Sequence, residues 1–305
     1  MTWILYLTTV AIWGTTWLAL KWQLGPTAIP YSIAGRFLLA AALLLGFLFL
    51  TRRVRLPRGP VLRLVLLQGV LLFCCNFLCF YQASHWLPSG LIAVIFSTST
   101  LWNALAARLL LKRQVAPRVW YGALLGLAGL TALFWPQLAN TAIQGPTLQG
   151  LGLALLGTLC FSTGNLLSAR LQGLGATPLQ TNGWGMLCGA LLLLAGAQVT
   201  GIDYVPDPAA RYWWALGYLA LFGSVIGFTT YLMLVGRLGP ERAAYTTVLF
   251  PVVALNLSVW FEGYHWTLWG LLGLCSVMGG NLLVFWRGQA PAWWQRIVMG
   301  RLLAR

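Results

Sequence analysis

The sequence predicts an all-α polytopic membrane protein of ten transmembrane helices, arranged as two inverted five-helix repeats around a central cavity. Three observations carry the prediction. First, 59% of the 305 residues are hydrophobic and only 8% are charged, against about a quarter charged in soluble domains. Nineteen basic and four acidic side chains cannot clothe a water-facing surface of this size, so lipid is the solvent that fits. Second, ten apolar stretches approach the roughly 20 residues that a helix needs to cross the hydrocarbon core. Third, segments of the first half overlay segments of the second at a nearly constant shift.

The spans are read as 3–20, 31–50, 61–82, 89–111, 118–136, 148–169, 179–199, 212–235, 242–261 and 267–286. The first resembles a signal peptide in length, but it lacks a basic start and a small-residue cleavage site, so it is taken as a retained span. Short connections follow, several marked by Gly-Pro pairs such as Gly25-Pro26, Gly59-Pro60, Gly145-Pro146 and Gly239-Pro240, which break helices. Continuous runs such as Phe37 to Leu50 exclude a β-barrel, whose strands alternate over about ten residues. After the last span, Pro291 opens a basic segment in which Trp293, Trp294, Ile297, Val298 and Leu302 share a face. This suits a helix lying in the interface.

The basic residues orient the bundle. With both termini cytoplasmic, sixteen of the nineteen, including Arg52, Arg53, Arg55, Arg58, Lys112, Arg113 and Arg237, fall on inside loops, helix margins and the tail. Lys21 and Arg211 lie outside, and Arg36 lies within span two. This positive-inside bias predicts an inner (plasma) membrane protein whose net charge of +15 serves topology and attraction to anionic lipid. No nucleic-acid partner is expected, because no folded aqueous face exists to hold one. The six cysteines all fall inside spans, where thiols behave as small hydrophobes, and none pairs with histidine at metal-ligand spacing. No cofactor and no metal site are expected.

The internal repeat is read from three matches. Pro30 to Leu45 lies over Pro178 to Leu193 at a shift of 148 residues, as Trp120-Tyr121-Gly122 does over Leu268-Trp269-Gly270, and Pro88 to Arg108 over Pro240 to Trp260 at 152. The boundaries follow as 1–142 and 143–287 for the repeats, with 288–305 as the basic amphipathic tail. Five spans is an odd number, so the second repeat inserts upside down. Such repeats mark secondary transporters, whose substrate site lies near the midplane.

Ile12 to Trp17 (IWGTTW), Arg36-Phe37, Asn76 to Ala83 (NFLCFYQA), Leu87 to Leu91 (LPSGL), Trp120 to Gly129 and Phe261-Glu262-Gly263 together resemble the EamA-type members of the drug/metabolite transporter superfamily. The resemblance covers nearly the whole chain. It implies ten helices around a cavity, with spans five and ten peripheral, and a carrier of small metabolites, often amino acids and often outward. One departure is that Lys112-Arg113 stands in the first half where the second half carries Glu262.

Other function classes fail on chemistry. No GxxxxGK[ST] cradle surrounds Lys21 or Lys112, so an ATP-driven pump is excluded. Asp203 and Asp207 sit in an outside loop, and His85 and His265 at helix ends, so no catalytic residues are assigned and the protein is not read as an enzyme. No charge ring or carbonyl-filter sequence argues for a channel. The remaining alternatives to an exporter or exchanger are a proton-coupled antiporter using Glu262 and a non-transporting scaffold or lipid-handling protein. No acid lies at the midplane, since Glu241 and Glu262 bracket span nine, and this favours a facilitator or exchanger.

Polar and indole groups within spans are the candidate substrate-binding residues: Trp13, Thr16, Arg36, Asn76, Ser99, Trp102, Asn103, Asn165, Tyr245 and Asn256. Trp13 and Thr16 stand at i and i+3, and Ser99 and Asn103 at i and i+4 with Phe96 a turn earlier. Tyr245, Leu249, Val252 and Asn256 form a stripe on one face. Each amide serves equally as interhelical glue, and Arg36 as a structural donor or an anchor for a substrate carboxylate. Pro251 breaks span nine and is the candidate gating residue. Gly122-x-x-x-Gly126 indicates close helix packing, with a homodimer as one use.

Overall fold

The computed structural model describes residues 2–99, 101–103, 117–139, 145–238, 243 and 246–285. Tyr245, Glu241 and the tail 288–305 lie outside the described residues. The elements are α1 (Thr2–Lys21), α2 (Ile29–Leu50), α3 (Gly59–Gln68), a π-helical segment π1 (Gly69–Cys75), α4 (Asn76–Ala83), α5 (Ser89–Ser97), α6 (Pro117–Ala139) and α7 (Gly145–Gly173). Then follow α8 (Pro178–Val199), α9 (Ala210–Tyr218), a second π-helical segment π2 (Leu219–Ile226), α10 (Gly227–Leu238), α11 (Thr246–Phe261) and α12 (Leu268–Phe285). No strand occurs among the described residues.

Among the described residues, six helices are long and apolar enough to cross a membrane: Trp3–Lys21, Ile29–Leu50, Gly59–Ala83, Gly145–Gly173, Pro178–Val199 and Ala210–Arg237. Trp120–Leu133, Leu249–Phe261 and Leu268–Leu283 are shorter apolar helices. The expected fourth span is described only as far as residue 103. Chemistry at the helix ends explains the boundaries. Pro30, Pro60 and Pro178 sit in first turns, where the missing N–H costs nothing. Gly263, at φ 67°, ends α11 immediately after Glu262, in the left-handed conformation that glycine adopts without strain. The bundle's outer faces carry large apolar side chains such as Phe49, Leu50, Trp214 and Leu268. Such a surface suits lipid and not water.

The core packing exchanges partners between the two halves. α1 packs on α10 and α11, while α7 packs on α4 and α5; α2 packs on α8 and π2, while α8 also packs on π1. The π segments stand at corresponding places in the third and eighth expected spans. A π turn frees carbonyls from the regular i→i−4 ladder, and Ser224 in π2 donates its hydroxyl to the carbonyl of Leu219, five residues back, at 2.9 Å.

α6 packs chiefly on α12 at the edge of the bundle. A Cβ at Gly129 would lie 2.7 Å from the Val277 nitrogen, and one at Gly280 would lie 2.5 Å from the Gly122 carbonyl oxygen. The GxxxG pattern of Gly122 and Gly126 is therefore used inside the chain, where backbones approach too closely for side chains.

Candidate functional site

The centre of the bundle is aromatic. Trp13, 6% exposed, is ringed by Phe96, Phe161, Phe228, Tyr231 and Phe250 at centroid distances of 4.7 to 6.4 Å. Trp17, one turn on, meets Phe80 at 5.1 Å and Phe96 at 5.4 Å. Most of these pairs are edge-to-face or tilted, which places positive ring edges on negative faces. The indole nitrogen of Trp13 lies against Gly227, where a Cβ would come within 2.7 Å.

Beside these rings is a cavity of about 40 Å³, room for a few waters. Its walls are Trp13, Thr16, Trp17 and Leu20 of α1, Arg36 of α2, Asn76, Phe77 and Phe80 of α4, Phe96 of α5, Phe161 of α7 and Phe228 of α10. Arg36 is buried. Its Nε donates to the Ser224 hydroxyl at 2.8 Å, and its guanidinium carbon lies 4.5 Å from the Phe77 centroid and 5.1 Å from that of Phe37. The Tyr81 phenol is also beside the guanidinium, and it donates to Gln23 Oε1. The Oδ1 of Asn76, buried in the same wall, has no hydrogen-bond partner. An unpaired buried carbonyl is a standing cost that a ligand donor relieves.

Of the sequence candidates, Trp13, Thr16, Arg36 and Asn76 meet at this cavity. Asn165 reaches it at one remove: its Nδ2 donates to the Tyr231 hydroxyl at 3.1 Å, and Tyr231 stands against Trp13. Ser99 and Asn103 are buried with Ser99 Oγ and both Asn103 amide atoms unpartnered, and Trp102 is half-buried; none of the three lines the cavity. Asn256 corrects an expectation. Its helical stripe points outward, with Leu249 41% and Val252 36% exposed, and its Nδ2 donates to the Val252 carbonyl of its own helix at 2.8 Å. The period of a stripe identifies a face without saying which way it turns. Pro251 is buried in the second turn of α11 as described, next to Phe250, which stacks on Trp17. Sequence reasoning missed Phe80, Phe161, Phe228, Ser224 and Gly227, for which the only available signal was an aromatic or small residue deep in an apolar run.

At the Lys21 end of the bundle a polar cluster ties three helices. The Glu262 carboxylate, 5% exposed, pairs with Lys21 Nζ at 3.1 Å. It also accepts from the Ser89 backbone N–H at 3.1 and 3.3 Å, from the Ser89 hydroxyl and from Ser258 Oγ. Ser258 Oγ in turn accepts from the Gly90 N–H at 2.8 Å. The last turn of α11 thus caps the first turn of α5, whose orphan N–H groups and positive dipole end favour an anion. Gly90 is small because a Cβ there would lie 2.7 Å from Leu255 Cα.

These features, apolar helices around a polar and aromatic cavity, find their counterparts in known proteins. The EamA-like transporter family matches residues 1–135 and again residues 148–286. The chain belongs to that family. It is a multi-pass integral membrane protein of a transporter family, not an enzyme. It is 30% identical over 257 residues, 83% of this chain and 80% of the relative, to the uncharacterized inner membrane transporter YedA of Escherichia coli K12. Protein PecM of Dickeya dadantii is 27% identical, over 82% of this chain and 80% of its own. Protein PagO of Salmonella typhimurium is 23% identical, over 86% and 85%. A crystal structure 18% identical in sequence superposes with a TM-score of 0.68 over 92% of this chain and 94% of that one, which establishes the shared fold.

Proposed function

We propose that the protein is a secondary carrier that exports or exchanges a small zwitterionic or uncharged metabolite, an amino acid or a relative of one, by alternating access. The observation that carries this reading is the buried cavity at Trp13, walled by helices from both stretches that match the family. The double match and the exchanged packing of the halves support two inverted five-helix repeats, a design in which the substrate site lies between the repeats. The reading includes an inner-membrane location with both termini cytoplasmic, argued from the basic loops and from relatives named as inner membrane transporters. In this orientation the Lys21–Glu262–Ser89 cluster closes the outer end. With one cation, Arg36, and one amide, Asn76, in its lining, the cavity suits an amino acid better than a sugar phosphate, whose charge asks for several cations.

The test is counterflow in proteoliposomes against a panel of amino acids, nucleosides, sugars and sugar phosphates, with no ion gradient applied. Saturable exchange of an amino acid or uncharged metabolite is expected. Failure of every solute defeats the carrier reading in favour of a scaffold. Substrate-driven proton flux abolished by Glu262→Gln establishes the antiporter instead.

A further inference from the structure

Arg36 is a buried cation among neutral neighbours. Among the described residues the one ion pair is Lys21–Glu262, and no carboxylate stands against the guanidinium. What surrounds it is the Ser224 hydroxyl on Nε, the Tyr81 phenol and the faces of Phe77 and Phe37. Two neutral hydroxyls and two rings do not neutralise a charge that is expensive at membrane depth. A guanidinium carries five N–H donors in a planar fork, and these neutral partners leave donors over at the cavity wall. Asn76 lines the same cavity, and its buried Oδ1 is an acceptor without a partner.

The rest of the lining is Trp13, Trp17, Phe80, Phe96, Phe161 and Phe228. Such a set of rings would by itself welcome an organic cation. Here the fixed charge of Arg36 faces the same low-dielectric space and opposes one. The missing counter-charge, the spare donors, the spare acceptor and the apolar walls describe one kind of ligand.

We infer that Arg36 is the anion subsite of this cavity, and that the ligand it selects is a small monocarboxylate with an apolar or aromatic body, its amino group dispensable. This rests on the carrier reading above and changes its ligand class: the carboxylate becomes the obligatory handle, so uncharged solutes drop out and simple carboxylate anions join the amino acids. The carboxylate takes the guanidinium fork. A ligand N–H, where present, takes Asn76 Oδ1, and the body packs against the rings. The cavity of about 40 Å³ is too small for such a body, so binding belongs to a wider conformation of the same walls.

Three probes of one body separate the groups: L-phenylalanine, 3-phenylpropionate and 2-phenylethylamine. Their binding is measured by calorimetry on the full-length protein in lipid nanodiscs, with empty nanodiscs subtracted for partitioning. The two carboxylates are expected to bind, and the amine to bind more weakly by about tenfold or more, the value of charge-assisted hydrogen bonds. Arg36→Gln should abolish the preference for acid over amine, and Arg36→Lys should retain part of it. The wild-type comparison stands even if Arg36→Gln fails to fold. Equal or tighter binding of the amine, or binding of none of the three, overturns the inference. Counterflow of some solute without preference for carboxylates also overturns it while leaving the carrier reading intact, whereas no counterflow at all defeats that reading first.

Discussion

Glu262→Gln is expected to loosen the Lys21 end of the bundle without unfolding it. The ion pair itself is a small part, since Lys21 is one-third exposed and such pairs contribute at most about 1 kcal/mol. The buried bonds matter more. Ser89 N–H, Ser89 Oγ–H and Ser258 Oγ–H all converge on the carboxylate. Hydrogen bonds to a charged acceptor run about 1.5–3 kcal/mol against about 0.5–1.5 for neutral ones. Glutamine keeps one carbonyl oxygen for these donors, but turns an NH₂ toward one of them or toward Lys21. The net loss is about 2 kcal/mol, or about 30-fold in the local opening equilibrium. Amide hydrogen exchange reads this directly, because the N–H groups of Ser89 and Gly90 are the ones held by Glu262 and Ser258. A peptide carrying both should exchange about 30-fold faster in the variant, with helices far from this end unchanged. Unchanged exchange at Ser89 and Gly90 would refute the claim that the carboxylate holds α5 and α11 together.

Three further outcomes follow from the packing. Gly227→Val puts side-chain atoms where the Trp13 indole nitrogen lies; overpacking of this kind costs about 1–3 kcal/mol, and thermal unfolding with ligand calorimetry should show a modest loss of stability with a large loss of binding. Tyr231→Phe removes the hydroxyl that accepts from Asn165 and leaves that amide wholly unpaired, so unfolding in detergent should show a loss of about 1–3 kcal/mol, while the double variant with Asn165→Leu recovers part of it. Gly129→Leu drives a side chain into Val277 and the Gly273 carbonyl, and should separate α6 from α12: a lower unfolding temperature is expected, with ligand affinity in the folded fraction preserved.

The fold was largely legible because a helix crossing lipid must be a long apolar run, and apolar runs can be counted. Proline and glycine then mark their ends, as Pro30, Pro178 and Gly263 do. Trp13, Thr16, Arg36 and Asn76 were legible for the same reason in reverse: an indole, a hydroxyl, a guanidinium and an amide stand out where hydrocarbon is expected. Phe80, Phe161 and Phe228 were not, since a phenylalanine facing a cavity looks in sequence like one facing lipid. Asn256 was placed on the wrong side because a stripe of period 3.6 has no sign, and only its neighbours Leu249 and Val252, exposed on the outer face, fix the direction. The Lys21–Ser89–Glu262 cluster was beyond reach, since it joins three segments far apart in the chain through tertiary packing alone.

Alternating access around the Trp13 cavity is tested most directly by the reactivity of Thr16→Cys, a position in the cavity wall, in a chain whose six native cysteines are replaced. A membrane-impermeant maleimide is applied from the outside to cells and from the cytoplasmic side to inverted vesicles, with and without Glu262→Gln. The account predicts mirror-image changes: the Glu262 substitution raises labelling from the outside and lowers it from the cytoplasmic side, because loosening one end populates one state at the other's expense. Labelling that rises from both sides together would mean a continuous pore, and would contradict the account.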